Sequence, residues 1–414
     1  MDFEYAPEHE AFRREFRSWL AANLPPELCL DDAADDRVAS DRATFERRRA
    51  WQKTMHAAGW VGISWPKEYG GRGATLVERV IWDEEYTAAR APVLPGNMGL
   101  NLIGPTIIQW GTENQRRRYL PAILSGDEVW CQGFSEPGAG SDLAALSTRA
   151  VDRGDHFVVN GQKVWTSGAQ YAHWILLLAR TDPELPKHHG LSMLLVPMDT
   201  RGITVRPLVL MTGHPHFNEV FFSDVVVPKT QLLGPLNRGW KVATTTLMHE
   251  RHSAGARNPI GQVAALVSAA LRLRVDGAAA ADAITGWDGG TARDGGTAWD
   301  DPRVRQRLAQ LVIDCEAMRY TRYRSLTRQF RGEPPGPEGS ILKLFGSELG
   351  VRIADAAGEL LGMHALVNRP SALIPDAPRW FNRLLAARQY TISAGTSEIQ
   401  RNIIGERVLG LPKG

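Results

Sequence analysis

The sequence has 414 residues, and its 48 Lys and Arg nearly balance its 46 Asp and Glu, giving a formal net charge of +2. This length predicts two or three domains with a sizeable core, and the charge balance gives no indication of nucleic-acid binding. Three cysteines, Cys29, Cys131 and Cys315, form no CxxC pair, which disfavours a disulfide framework and favours a reducing, cytoplasmic location. The charged N-terminus does not resemble a signal peptide, and no apolar run is long enough for membrane insertion.

Residues 1–125 are predicted to form a helical domain. Phe12 and Phe16 lie four residues apart, a spacing that places both on one helix face. Near the end of this region, Thr112 has the character of a helix cap, and Pro121 is expected to end the helical stretch.

Residues 126–238 show a different pattern, in which short β-branched and aromatic runs alternate with Gly, Pro, Asp and Asn. This pattern predicts a central antiparallel β domain, as a barrel or sandwich. Helical periodicity returns over residues 239–414, except at 276–302, whose Gly, Ala and Asp content predicts a flexible surface loop. The predicted fold class is therefore α+β multidomain, in the order helical, β, helical.

Two segments of the β region contain residue types suited to a flavin. FSEPGAGSDLAAL, residues 134–146, combines glycines and small hydroxyl side chains, and its N–H groups suit flavin carbonyls or phosphate. KVWTSG, residues 163–168, places a tryptophan beside Thr and Ser at a strand end, where it can stack on a flavin ring. An ordinary glycine-rich connection and an ordinary strand-end Trp remain the alternatives.

Two further candidates lie in the C-terminal part. Thr396 begins a helix as an N-cap, and the following N–H groups are suited to a phosphate, although most such caps bind no ligand. Glu250 precedes Arg251 in an otherwise apolar helix, which suggests either a general base with a raised pKa or a simple ion pair. The histidines lack spaced partners, so no metal site is predicted.

Taken in chain order, these motifs resemble the acyl-CoA dehydrogenase superfamily along nearly the whole sequence. The matching strings are GISWPKEYGGRG, FSEPGAGSD, NGQKVWTSG, EVFFSDVVVP, NRGWKVA and GTSEIQRNIIGERVLGLP. The resemblance implies an N-terminal helical domain, a central β domain and a C-terminal four-helix domain, with FAD between the last two. The cofactor residues that it implies are Gln132, Gly133, Phe134, Ser135, Ser141, Trp165, Thr166, Ser167, Glu359, Gly395, Thr396, Ser397 and Glu398.

The resemblance also implies the reaction, an α,β-dehydrogenation of an acyl-CoA or acyl-carrier thioester. A carboxylate removes the α-proton, the β-hydrogen leaves as hydride to flavin N5, and donors stabilise the enolate oxygen. The commonest family pattern places this base directly before the Gly-Thr pair, where this sequence has Ala394. A minority of the family, the isovaleryl and long-chain types, carries it before an Arg on an earlier helix, which Glu250 matches. Glu250 is therefore the predicted base, and Ser141, Arg251 and the Ala394 N–H are the predicted substrate contacts.

The partners implied by the resemblance are an acyl thioester and an electron-transfer flavoprotein, within lipid metabolism. A homodimer or homotetramer is expected, with a hetero-oligomer as the alternative. Pro302 stands about where the family often has a Gln that contacts a neighbouring subunit's FAD, so the inter-subunit cofactor contacts are left open. The alternative functions are a flavin oxidase or monooxygenase on the same fold, and a non-catalytic partner subunit.

Overall fold

The structure is a computed structural model that describes residues 5–29, 39, 41–254, 259–275, 296–330, 336–369 and 377–412. Contacts between Cα atoms divide the chain into two compact units. The first unit contains the described residues up to Glu250, and the second contains those from Arg251 onward. No helix of the described part is long and apolar enough to cross a membrane.

Helices form the first part of the first unit, as predicted. They are α1 (Pro7–Asn23), α2 (Arg42–Ala57), α3 (Leu76–Ala88), α4 (Gly104–Trp110) and α5 (Glu113–Ser125), with a π-helical turn at Gly99–Ile103. Phe12 and Phe16 are both buried on α1, and the ring centroids of Phe16 and Trp60 lie 4.5 Å apart. The helical period thus correctly identified the buried face of the first helix.

Helix α5 shows one correct and one wrong prediction. The Thr112 hydroxyl accepts the Gln115 N–H, and the Gln115 side chain accepts the Thr112 N–H, which forms a capping box. Pro121 does not end the helix but lies inside it. It lies on the exposed side of α5, as does Arg117, whose carbonyl loses its helical partner there and can be hydrated instead.

Eight strands follow and form one sheet. They are β1 (Trp130–Gly133), β2 (Arg149–Asp152), β3 (His156–Lys163), β4 (Trp174–Arg180), β5 (Leu191–Pro197), β6 (Ile203–Leu208), β7 (Phe217–Pro228) and β8 (Leu232–Leu233). The order is β6-β7-β3-β2-β4-β5-β8, with β1 also beside β4. Pairing is antiparallel except where β1 and β2 run parallel to β4.

The two faces of β4 belong to different cores. Leu176 and Leu178 pack in the core shared with the N-terminal helices, whereas Ile175 and Leu177 pack in a core made mainly by strands. Because side chains alternate along a strand, a run that is apolar on both faces can join two cores. The central strand thereby connects the helical part of the first unit to its β part.

Helix α6 (Gly239–Ala254) begins in the first unit and crosses into the second. The second unit then contains α7 (Ile260–Arg272), a two-stranded ribbon of β9 (Arg274–Val275) and β10 (Gly296–Thr297), α8 (Pro302–Phe330), α9 (Gly339–Leu361), α10 (Ala377–Ala386) and α11 (Ser397–Ile403). Its core is formed by α7 to α10 and includes Leu266, Cys315, Ile353 and Trp380.

The predicted flexible loop 276–302 is wrong over its last seven residues, while residues 276–295 lie outside the described part. Thr297 and Asp300 form a capping box, with the Thr297 N–H 2.7 Å from a carboxylate oxygen of Asp300. Ala298 is only 2% exposed and belongs to the core of the second unit, and α8 starts directly afterwards. The capping box and the burial of Ala298 give this short stretch a defined structure that its composition does not indicate.

Candidate active site

The two predicted flavin segments of the β domain lie side by side. The Val164 N–H donates to the Ser135 carbonyl at 2.9 Å, and Lys163 Nζ donates to the Phe134 carbonyl at 3.0 Å. Strand β1 therefore leads into a segment that is fixed to the end of β3. Segments far apart in the sequence are brought together by the order of the strands.

Two buried polar atoms in or directly before these segments have no hydrogen-bond partner among the described residues. They are Gln132 Oε1, on β1, and Thr166 Oγ1, whose residue is 1% exposed. Buried polar atoms are almost always hydrogen-bonded, so an unpartnered pair points to a group that binds there. Their chemistry, an acceptor and a hydroxyl, fits the mixed donors and acceptors along the polar edge of a flavin.

Trp165 presents its ring to solvent beside this pair. Its side chain is 57% exposed, and its φ of 62° lies in the left-handed region, which a bulky residue rarely adopts. Strained residues of this kind cluster at functional sites. Asn218 holds the following residue in place, since its backbone carbonyl accepts the Thr166 N–H at 3.0 Å and its side chain donates to the Thr166 carbonyl at 3.0 Å.

A buried ion pair underlies these segments and is absent from the sequence prediction. Lys163 Nζ lies 2.8 Å from Glu136 Oε1, and Lys163 is 0% exposed. Glu136 also accepts the N–H groups of Ser147 at 2.7 Å and Thr148 at 2.9 Å. Burial alone would raise the pKa of Glu136, but the Lys163 ammonium and these donors outweigh it and hold the pKa well below its usual range.

The other predicted β-domain residues occupy varied positions. Gly133 and Phe134 are buried, Ser135 and Ser167 are half-buried, and Ser141 is exposed. An exposed Ser141 is accessible to a substrate, and its contact with the CoA part of a thioester stays a prediction.

In the second unit, Ala394 lies in a strained turn. Ala394 and Gly395 have φ values of 54° and 89°, so two consecutive residues are left-handed. Lys343, only 5% exposed, donates to the carbonyls of Tyr390 at 3.0 Å and Gly395 at 2.7 Å. Gln400 Nε2 donates to the Ala394 carbonyl at 3.0 Å. The carbonyls of the turn are thus fixed by two buried side chains that the sequence prediction did not include.

Thr396 is the N-cap of α11, as predicted, because its hydroxyl accepts the Ile399 N–H at 3.2 Å. Ser397 is buried, and its hydroxyl has no partner among the described residues. Glu398 is exposed, and hydrogen bonds from its own N–H and from Thr396 lower its pKa. Glu359 is exposed as well, with a carboxylate oxygen 3.7 Å from Arg307 Nη2, and its contact with FAD stays a prediction.

Glu250 lies half-buried on α6, and Arg251 follows on the same helix, with a side chain outside the described part. Thr246, one turn before Glu250, has its hydroxyl oxygen 3.0 Å from that of Thr106 on α4. Trp110 Nε1 donates to the Thr245 hydroxyl at 3.0 Å. These buried contacts fix the helix turn that precedes Glu250.

Comparison with known proteins identifies the class. Three family models match in succession: the N-terminal domain of acyl-CoA dehydrogenase over residues 6–127, its middle domain over 131–225 and its C-terminal domain over 237–409. The chain belongs to the acyl-CoA dehydrogenase family, and it is an FAD-dependent oxidoreductase that dehydrogenates acyl-CoA.

Individual relatives are similar to the chain over nearly its full length. The chain is 39% identical to the acyl-CoA dehydrogenase IpdE1 of Mycobacterium tuberculosis, covering 98% of each protein. Among solved structures, it is similar to the Tcur3481-Tcur3483 steroid ACAD, with 32% identity, a TM-score of 0.82 and full coverage of both chains. It is also similar to the ChsE4-ChsE5 complex from Mycobacterium tuberculosis, with 35% identity, a TM-score of 0.79 and full coverage of both chains. These likenesses confirm the predicted superfamily and fold class, and they do not favour the alternative functions.

The unpartnered Thr166 hydroxyl leads to a prediction about cofactor binding. Replacing Thr166 with valine, which has nearly the same shape, should stabilise the FAD-free protein slightly, because a buried hydroxyl without a partner is removed. The same change should weaken FAD binding by about tenfold, the loss expected for one hydrogen bond of about 1.4 kcal/mol. Thermal unfolding with increasing FAD measures both effects, and Thr54→Val on the exposed side of α2 is the control. A Thr166→Val protein that binds FAD normally would show that this hydroxyl does not contact the cofactor.

Proposed function

We propose that the protein dehydrogenates a steroid-derived acyl-CoA and that Glu250 is the base that removes the α-proton. The observation that carries the proposal is the combination of Ala394, which has no ionisable group at the usual position of the base, with Glu250, half-buried on α6 directly before Arg251. The steroid acyl group is supported by the likeness to a steroid ACAD over the full chain.

Two groups of this chain, the Glu250 carboxylate and the Ala394 N–H, would act on the thioester. Glu250 accepts the α-proton of the thioester as a general base. The Ala394 N–H donates to the thioester oxygen as negative charge develops there, a contact that needs no side chain. Bound FAD supplies the acceptor for the β-hydride.

We propose the following residues as contacts of the cofactor. Unpartnered buried atoms of Gln132, Thr166 and Ser397 support this assignment, as does the exposed Trp165 ring. The proposed set is Gln132, Gly133, Phe134, Ser135, Ser141, Trp165, Thr166, Ser167, Glu359, Gly395, Thr396, Ser397 and Glu398. Ser141 and Arg251 are the proposed contacts of the CoA thioester.

For the assembly, we propose a complex with a second acyl-CoA dehydrogenase chain, in a reducing cytoplasm, with an electron-transfer flavoprotein as electron acceptor. Two similar structures, Tcur3481-Tcur3483 and ChsE4-ChsE5, each bear the names of a pair of proteins. Pro302 supports a different subunit contact from that of a homotetramer, since it replaces a family Gln that reaches a neighbouring FAD. Light scattering of the purified chain, alone and coexpressed with such a second chain, tests this, and a stable homotetramer that ignores the second chain would contradict it.

The substrate proposal is tested with a panel of acyl-CoAs. The FAD-loaded protein is mixed without oxygen with steroid-derived acyl-CoAs and with straight-chain acyl-CoAs of several lengths, and bleaching of the visible flavin band is recorded. We expect rapid bleaching with the steroid-derived thioesters only. Faster bleaching with a straight-chain acyl-CoA would refute the substrate class while leaving the reaction type intact.

A further inference from the structure

A completely buried lysine lies directly beneath the predicted cofactor segments. Lys163 is 0% exposed at the end of β3, and its partner Glu136 is 6% exposed. Neither residue is among those assigned to FAD, yet Glu136 directly follows Ser135 and Lys163 lies two residues before Trp165. Burying an ammonium group is costly, so its retention at this place calls for a role.

The ammonium of Lys163 is held in a fixed position. It donates to Glu136 Oε1 at 2.8 Å and to the Phe134 carbonyl at 3.0 Å. The Glu136 carboxylate is itself fixed, because it accepts the N–H groups of Ser147 and Thr148. Lys163 is therefore a rigid donor that determines the direction of the Phe134 carbonyl.

The direction of this carbonyl determines where the next N–H points. In a planar trans peptide, the C=O and the following N–H point in opposite directions. Because the Phe134 carbonyl points toward Lys163, the Ser135 N–H points away from the ammonium. The Ser135 carbonyl is fixed as well, because it accepts the Val164 N–H at 2.9 Å. Within the described ranges, the Ser135 N–H has no hydrogen-bond acceptor, so this donor is oriented and available.

We propose that Lys163 is a positioning residue for FAD, which holds the Phe134–Ser135 peptide so that the Ser135 N–H donates to an acceptor on the polar edge of the flavin. The positive charge on the carbonyl side also polarises the peptide and makes its N–H a stronger donor. The inference rests on the proposed assignment of Ser135 to the FAD site. It depends neither on Glu250 as the base nor on a steroid substrate.

Three variants separate this role from simple stabilisation of the sheet. Glu136→Gln keeps the Lys163 donor on the Phe134 carbonyl. Lys163→Met removes the donor but leaves the Glu136 carboxylate buried without its cation, and the double variant Lys163→Met/Glu136→Gln removes both charges. Each apoprotein is titrated with FAD to obtain the Kd, the reduction potential of the bound FAD is measured, and denaturant unfolding reports the stability.

We expect Glu136→Gln to bind FAD nearly as tightly as the unaltered protein. Lys163→Met and the double variant should bind it about tenfold or more weakly, the loss that accompanies one charge-assisted hydrogen bond. Both should also lower the reduction potential, because a donor to the flavin stabilises its more electron-rich reduced form.

If Lys163→Met does not fold, the double variant still tests whether the Lys163 donor supports FAD binding, since it leaves no unpaired charge in the sheet. A folded double variant with unchanged FAD affinity and unchanged potential would overturn the proposal. So would a Glu136→Gln protein that loses as much FAD affinity as Lys163→Met, because the carboxylate rather than the lysine donor would then be responsible. Neither result would affect the assignment of the dehydrogenation reaction, which acyl-CoA turnover tests separately.

Discussion

Replacing Glu250 with glutamine is expected to leave the protein folded and loaded with FAD but to slow flavin reduction by acyl-CoA on the order of 10²–10⁴-fold, the usual contribution of a general base. Glutamine keeps the size of the side chain and its hydrogen-bonding atoms but cannot accept the α-proton. The buried contacts of Thr246 with Thr106 and of Trp110 with Thr245 fix the preceding turn, so the backbone at Glu250 should not move.

Single-turnover mixing without oxygen measures this effect directly, because it separates flavin reduction from reoxidation. The matched control is Glu68→Gln, which changes an exposed glutamate in the same chain and should leave the rate unchanged. A Glu250→Gln protein that reduces flavin at the unaltered rate would remove Glu250 as the base. A second variant adds Ala394→Glu to the Glu250→Gln protein and so places a carboxylate at the position usual in the family. If that carboxylate can act as the base, part of the activity returns.

Replacing Lys343 with methionine is expected to destabilise the second unit by about 1–3 kcal/mol, the cost of one acceptor left without its donor. Lys343 donates to the carbonyls of Tyr390 and Gly395, and methionine fills a similar volume without donating to either. The Tyr390 carbonyl would lose this donor, whereas the Gly395 carbonyl would keep a longer hydrogen bond from Gln400 Nε2 at 3.3 Å. The turn that contains Ala394 holds two consecutive left-handed residues, a strained conformation that persists only when the surrounding structure enforces it.

The loss of Lys343 should therefore also affect substrate binding. If the Ala394 N–H donates to the thioester oxygen, a relaxed turn weakens the binding of acyl-CoA and slows flavin reduction. Denaturant unfolding and acyl-CoA titration measure the two effects, with Lys67→Met at an exposed position as the control. Unfolding of Lys343→Met that matches the control would show that the carbonyls of the turn find other donors.

The order of helical, β and helical regions was predictable because it depends on local periodicity. Side chains such as Phe12 and Phe16 mark a helix face whatever they pack against, and capping residues such as Thr112 and Thr396 act within one turn. Pro121 and the stretch 296–302 were not predictable in this way. The exposed position of the proline and the burial of Ala298 are consequences of tertiary packing.

The cofactor segments could be located from their residue types, but the side chains that fix them could not. Glu136 and Lys163 are 27 residues apart, and Lys343 and Gly395 are 52 apart, so these contacts depend on strand pairing and helix packing. One signal was present in the sequence. Lys163 follows the alternation of Phe157 and Val159 on the buried face of β3, and a lysine at an inward strand position is rare unless it is paired.

The most direct test of the account is anaerobic mixing of the purified, FAD-loaded protein, with any chain that co-purifies, with a steroid-derived acyl-CoA. Visible absorbance follows the flavin, and mass spectrometry follows the thioester. We expect bleaching of the flavin band together with a product that has lost two hydrogen atoms, and neither change on this timescale in the Glu250→Gln protein. FAD that stays oxidised with every acyl-CoA offered, or a product formed equally fast by Glu250→Gln, would contradict it.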